Sequence, residues 1–148
     1  MKKRIVISIK GFTLVELVTV ILLLGILSAF AIPRLFNLND YQTRAAYDEV
    51  VGAVRYAQKL AVASGCPARV VLTANTYAIQ QQAGCNSGGY ANISAAHPVS
   101  TGNFGPIVLD PAETFTFDAM GRSSFGGAIT VGDLSFSVTA QTGYVAAP

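Results

Sequence analysis

The hydrophobic and polar positions follow three different patterns along the chain. The first is a run of sixteen uncharged residues from Leu17 to Ile32, and between Phe12 and Pro33 the only charged residue is Glu16. A helix of this length spans about 33 Å, roughly the hydrocarbon core of a bilayer. The pattern predicts a transmembrane or otherwise fully buried helix over residues 12–33.

The second pattern is amphipathic and continues to about Ser64. Apolar residues recur three and four positions apart, which is typical of one helix face: Tyr47, Val50, Val51, Val54, Ala57 and Ala61. With the apolar run, this predicts one helix from Phe12 to Ser64, about 80 Å long. The polar residues 37–40 are its weak point, where we expect a bend or local unwinding, and Gly65 is a plausible end.

The third pattern has the period of two expected for β-strands. It predicts two hairpins, a central strand and a last short strand: 68–73 with 76–82, 128–131 with 134–139, 113–118, and Tyr144–Val145. The Gly-, Ser- and Asn-rich stretch 83–106 is predicted to be a long surface loop, and such loops are often functional. The fold class is therefore α+β, a long N-terminal helix packed on an antiparallel sheet.

Composition excludes several classes of function. Hydrophobic residues make up 51% and charged residues 12%, which excludes disorder for most of the chain. His97 is the only histidine, so a histidine-based catalytic or metal cluster is excluded. Four of the ten Lys and Arg residues lie in the first eleven positions, so six remain against eight acids. This balance argues against a basic nucleic-acid-binding domain.

Glu16 is the exceptional residue of the apolar run. A carboxylate inside a bilayer costs about 2.5–3.5 kcal/mol and is a functional candidate. Two ordinary alternatives remain open: a secretory signal peptide with a weak cleavage site near 28–31, and a simple signal anchor. A cut between Gly11 and Phe12 would create an α-amino group four residues from Glu16. The amine of one subunit would then neutralise the Glu16 of its neighbour.

The segment from Lys10 to Leu17, KGFTLVEL, resembles the class III signal of type IV pilins and pseudopilins. The resemblance implies that a prepilin peptidase cuts after Gly11 and methylates Phe12, and that Glu16 directs assembly. It divides the chain into a cleaved leader (1–11), a transmembrane and filament-core helix (12–33) and a periplasmic or extracellular head (34–148). The implied partners are other pilin subunits, the peptidase, the inner membrane and the pilus assembly platform. The implied location is the bacterial inner membrane before assembly and the filament afterwards.

The head resembles a subgroup of the same family. The pattern from Phe115 to Arg122 is similar to minor pseudopilin H and FimT-like pilins, and Cys66-Pro67 after the helix looks most like the minor pilin C of mannose-sensitive haemagglutinin (MSHA) pili. The implied function is a minor structural subunit of an MSHA-like pilus, acting in filament assembly and surface attachment. One alternative is a minor pseudopilin of type II secretion. A second is a DNA- or surface-binding tip subunit whose ligand-binding site is the 83–106 loop. A third is a membrane-anchored enzyme, but the sequence contains no group of residues typical of a catalytic site.

Cys66 and Cys85 are the only cysteines. The membrane topology places both outside the cytoplasm, where disulfides form, so we predict a bridge between them. Two free thiols remain an alternative. Half of a metal site is disfavoured, because no His is nearby and no Cys-x-x-Cys spacing is present.

The remaining candidates have ordinary structural interpretations. We expect His97 to be a solvated surface residue and the residues from Asp118 to Arg122 to form a turn, with Arg122 pairing with Asp118 or with a neighbouring subunit. The head acids lack the spacing of a calcium loop: Asp110, Glu113, Asp118 and Asp133. No basic residue follows Arg122, so no nucleic acid is expected as a partner. We predict no catalytic residues, no metal and no cofactor.

Overall fold

The computed structural model describes residues 11–35, 38–94, 97 and 99–148, with only the backbone described at 29–35. The chain divides into two compact units, residues 1–38 and 39–148. The first unit contains helix α1, Leu14–Leu35. The second contains helix α2, Leu38–Ser64, and all of the strands. The predicted weak point falls partly outside the described residues, but its members from Leu38 to Asp40 are helical.

Within the described residues, nine strands follow α2, and they form two antiparallel sheets. The strands are β1 Ala68–Leu72, β2 Thr76–Gln82, β3 Tyr90–Asn92, β4 Thr101–Asn103, β5 Leu109–Asp110, β6 Thr114–Phe117, β7 Gly127–Val131, β8 Leu134–Val138 and β9 Val145–Ala146. The five-stranded sheet has the order β3-β2-β1-β6, with β4 also pairing with β2. The four-stranded sheet has the order β5-β7-β8-β9.

The core lies between α2 and both sheets. All six apolar positions that the helical spacing selects are buried. They belong to one hydrophobic cluster with the inward-facing residues of both sheets, among them Val70 and Ile79 of the first sheet and Phe136 of the second. The Tyr47 ring meets Phe136 edge-on at 6.0 Å, and its hydroxyl donates to the Ser135 carbonyl at 3.2 Å. The predicted α+β architecture, with an N-terminal helix packed on antiparallel sheet, is confirmed.

The prediction that residues 83–106 form one uninterrupted loop is wrong. This stretch contains β3 and β4, which pair with opposite ends of the same edge of β2. Each strand has three residues and includes Gly or Asn, so neither shows an alternating apolar pattern. They pair because the long strand β2 exposes an edge of unsatisfied backbone groups once β1 has taken its other side. Strand β5 was likewise not predicted, and the last strand begins one residue later than expected.

Candidate functional site

Helix α1 begins directly after three residues of the predicted processing signal. Gly11, Phe12 and Thr13 precede its first residue, Leu14. The Thr13 hydroxyl accepts a hydrogen bond from the Glu16 backbone N–H at 3.2 Å, and the Thr13 carbonyl accepts from Leu17 N–H at 3.1 Å. Thr13 therefore caps the helix. Glu16 lies in the first turn, where the helix dipole favours a carboxylate.

The side chains of α1 are exposed on every side of the helix over residues 14–28. Leu14 is 79% exposed and Leu27 is 64% exposed, and the residues between them are mostly Leu, Ile and Val. The Glu16 carboxylate has no hydrogen bond or ion pair within the described part of this single chain. A helix that is apolar all round is stable only when lipid or other helices cover it. Among the described residues, no helix is both long enough and apolar enough to cross a membrane.

The two cysteines form a disulfide in the structure. Cys66 lies two residues beyond the end of α2, Cys85 lies between β2 and β3, and their Cα atoms are 4.2 Å apart. This is the outcome that the sequence favoured over two free thiols. Ser64 reinforces the same junction, since its hydroxyl donates to the Leu60 carbonyl at 2.7 Å and accepts from the Gln81 side-chain amide at 2.7 Å. The end of α2 is therefore tied to both β2 and the β2–β3 connection.

Two turns near the end of the chain are fastened to α2. The Gln58 amide donates to the carbonyls of Gly121 and Thr142, at 3.2 and 3.0 Å. The Arg55 guanidinium donates to the Val145 carbonyl at 3.2 Å. Arg55 is not one of the apolar positions that the helical spacing selects, and its contact with β9 could not be predicted from that spacing.

The turn from Asp118 to Arg122 closes on itself. One Asp118 carboxylate oxygen accepts the backbone N–H groups of Met120 and Arg122, each at 2.9 Å, and the other pairs with the Arg122 Nε at 2.8 Å. These contacts, led by the backbone N–H of Arg122, hold the pKa of Asp118 below its ordinary value. The structure thus gives Arg122 an intramolecular partner, one of the two predicted alternatives.

A buried tyrosine of β2 forms a hydrogen bond with an acid of α2 that is not one of the predicted apolar positions. The Tyr77 hydroxyl donates to Glu49 Oε1 at 2.9 Å. Burial and then this hydrogen bond to a carboxylate raise the pKa of Tyr77 well above its ordinary value. The pair links α2 to β2.

His97 is exposed, as predicted, but it is not isolated. The Tyr56 hydroxyl lies 3.3 Å from Nδ1 and 3.4 Å from Nε2 of the imidazole, and the two ring centroids are 5.3 Å apart. Residues 95, 96 and 98 lie outside the described part of the chain. Within that part, no three His, Cys, Asp or Glu side chains are grouped closely enough to hold a metal ion.

Comparisons with known proteins agree with the motif and the fold. The prokaryotic N-terminal methylation motif matches residues 8–32. The chain is 47% identical over 60 residues to the type IV narrow pilus major component PilA5 of Thermus thermophilus, a match to 39% of this chain and 52% of that protein. The chain therefore matches about half the length of this curated relative.

Two crystal structures of the type IV minor pilin FimU from Pseudomonas aeruginosa are similar in fold to about three quarters of this chain. Both give a TM-score of 0.52, at 17% and 18% identity, and cover 71% and 74% of this chain and 91% and 90% of FimU. The chain thus carries the prokaryotic N-terminal methylation motif, and its architecture matches the type IV pilin fold.

Proposed function

We propose that the protein is a minor structural subunit of a type IV pilus. The observation that carries the proposal is the methylation motif at residues 8–32, which continues into a helix with apolar side chains exposed on every side. Such a helix needs partners along its whole length, and neighbouring copies of the same kind of helix supply them. The compact second unit, residues 39–148, is then the head displayed on the filament.

The proposed cleavage site suggests how filament assembly would neutralise the charge of Glu16. Cleavage after Gly11 would leave Phe12 as the new, methylated N-terminus, four residues before Glu16. In a single chain the Glu16 carboxylate has no partner among the described residues, and an unpaired carboxylate is unfavourable in lipid. The terminal amine of a neighbouring subunit would pair with it, so leaving the membrane becomes favourable only on joining the filament.

The proposed sequence of cleavage, membrane insertion and filament assembly implies the protein's partners. A prepilin peptidase removes residues 1–11, the inner membrane holds residues 12–33 with the head in the periplasm, and an assembly platform transfers the subunit to other pilins. The disulfide between Cys66 and Cys85 fits a head that folds on the periplasmic side. The finished location is the pilus outside the cell.

Substitution of Glu16 tests the assembly mechanism. We expect Glu16→Ala to be inserted and cleaved normally but to be depleted at least tenfold from sheared filaments, because the charge that recruits it is gone. Glu113→Ala removes an exposed head acid and is the matched control, which should assemble normally. Immunoblots of membrane and sheared fractions measure both steps, and normal incorporation of Glu16→Ala would contradict the mechanism.

A minor pseudopilin of type II secretion is the alternative, since the same signal and fold serve that machine. An in-frame deletion separates the two. Loss of sheared pili, restored by complementation, supports the pilus subunit, whereas intact pili with loss of secreted proteins supports the pseudopilin. The finer MSHA-like assignment stays a prediction, and loss of mannose-sensitive haemagglutination in the same deletion strain would support it together with a role in surface attachment.

A further inference from the structure

The outer face of the five-stranded sheet carries a row of polar side chains at one level. The register places Arg69 of β1 between Thr116 of β6 and Gln80 of β2, and Gln80 in turn opposite Asn92 of β3. The four residues therefore point away from α2 on adjacent strands, across about 14 Å at the usual strand spacing. The proposed function of the protein gives this row no role.

The guanidinium of Arg69 is held in one orientation. Its Nε and Nη2 groups both donate to Gln80 Oε1, at 2.9 and 2.5 Å. Its Cζ lies 4.2 Å from the centroid of the Tyr90 ring, a cation–π distance. These contacts occupy one edge and one face of the planar group. The end of the fork, one N–H of Nη1 and the second N–H of Nη2, has no hydrogen-bond partner in the described part of the chain, and this edge matches a carboxylate bidentately.

The side-chain amides of Gln80 and Asn92, which follow Arg69 in the row, each have one orientation. Because Gln80 Oε1 accepts from Arg69, its Nε2 faces the other way and donates to Asn92 Oδ1 at 2.8 Å. The Asn92 oxygen is thereby used, and its NH₂ group is directed outward from an exposed residue. The part of the row from Arg69 to Asn92 thus has unpaired N–H donors at both ends, on Arg69 and on Asn92, which suits a ligand rich in oxygen acceptors.

The charge of Arg69 is not compensated inside the head. The described residues contain two ion pairs, Arg44 with Asp48 and Arg122 with Asp118, and neither involves Arg69. A polyphosphate backbone needs several cations for useful affinity, whereas this face offers one cation surrounded by neutral amides and hydroxyls. A single carboxylate among hydroxyl groups fits that arrangement.

We propose that the Arg69–Gln80–Asn92 row binds a uronate-containing polysaccharide. The sugar carboxylate occupies the outward fork of Arg69, and hydroxyl or ring oxygens of the same or the next sugar accept from the Asn92 amide. The site belongs to the head alone and does not depend on the proposed filament.

A titration of the full chain tests the site. The protein is kept in an uncharged detergent without a sugar headgroup, and tri-galacturonate, neutral galactotriose and a short oligodeoxythymidylate are added in turn while the Arg Nε–H and Asn amide NMR signals are followed. We expect saturable, salt-sensitive shifts with tri-galacturonate at millimolar concentration or below and much weaker effects from the other two probes. Equal response to galactotriose, or tighter binding of the oligonucleotide, would overturn the proposal.

Variants assign the response to the row. Arg69→Gln is expected to weaken binding of tri-galacturonate at least tenfold, whereas the matched control Arg122→Gln leaves it unchanged because Arg122 already pairs with Asp118. Asn92→Asp is a second test that keeps Arg69 in place: it removes the amide donors at the Asn92 end and adds a carboxylate that repels the sugar carboxylate, so binding should again fall at least tenfold. Unchanged binding in a folded Arg69→Gln variant, or in Asn92→Asp, would refute the assignment.

Discussion

Gly102 lies in β4 opposite Tyr77 of β2, and we predict that Gly102→Ala markedly destabilises the head. A Cβ atom at this position would overlap the Cε1 atom of the Tyr77 ring and lie 2.6 Å from Glu49 Oε1. The ring cannot easily retreat, because it is 2% exposed and stacks on Phe104 with the centroids 5.7 Å apart. The methyl group therefore has to displace either the buried ring or the carboxylate that binds it.

Two costs add in this variant. Loss of the hydrogen bond between Tyr77 and the charged Glu49 costs about 1.5–3 kcal/mol, and overpacking of a buried ring costs about 1–3 kcal/mol. Replacing Gly with Ala also restricts the unfolded chain, which returns up to about 1 kcal/mol. The net expectation is a loss of about 1.5–6 kcal/mol in the free energy of unfolding.

Urea unfolding of the full chain in an uncharged detergent measures this loss. The chain contains six Tyr and no Trp, so near-ultraviolet circular dichroism of tyrosine is the natural signal. Gly89→Ala is the matched control, since a Cβ there meets nothing within 4 Å and the backbone is not in the left-handed region. It removes the same entropy from the unfolded chain without a clash, so its midpoint should equal or exceed that of the wild type.

A double substitution identifies the cause. In a Tyr77→Leu background the ring is absent, so adding Gly102→Ala should cost less than it does in the wild type. Residues in direct contact are expected to deviate from additivity in this way. If Gly102→Ala alone unfolds at the same urea concentration as Gly89→Ala, the argument from close packing at Tyr77 is refuted.

Two further predictions concern the junction after α2 and the turn before β7. Replacing Cys66 and Cys85 with Ser should lower the free energy of unfolding by about 3 kcal/mol for the 19-residue separation, and a midpoint equal to that of the oxidised wild type would contradict this. Since the pKa of Asp118 is lowered on folding, its stabilisation is present above its ordinary pKa of 3.8 and is lost as pH falls through the folded value. The difference in melting temperature between wild type and Asp118→Asn should therefore be largest near neutral pH and shrink below about pH 4; a difference that is constant from pH 7 to pH 2.5 would show that ionisation of Asp118 is not its source.

The periodic elements of the fold could be predicted from the sequence. The three- and four-residue spacing of α2 identifies its buried face, and the period of two identifies β1, β2 and, most clearly, β6, because burial imposes those periods directly. Strands β3 and β4 have three residues each, and their pairing is decided by the free edge of β2 rather than by their own composition. The division into two sheets also depends on strand pairing that no local pattern contains.

The candidate sites likewise include residues that the sequence identifies and contacts that only the structure shows. Gly11, Phe12 and Glu16 belong to a contiguous motif and are recognised without a structure. Contacts between residues distant in sequence are not, because they depend on strand register and helix placement. The Glu49–Tyr77 hydrogen bond and the row that begins at Arg69 are of this kind: an acid and a base that look solvated in the sequence acquire specific partners only after β2 is placed.

The hydrogen bonds of α2 have a consequence for the order in which the head forms. Tyr47 donates to Ser135 and Arg55 donates to Val145, partners 88 and 90 residues later in the chain. A chain made from its N-terminus presents α2 long before either carbonyl has emerged. The apolar face of α2 is therefore uncovered during that interval, and contacts of such sequence separation make folding slow. Until β9 has formed, the head is most exposed to proteases and to wrong partners.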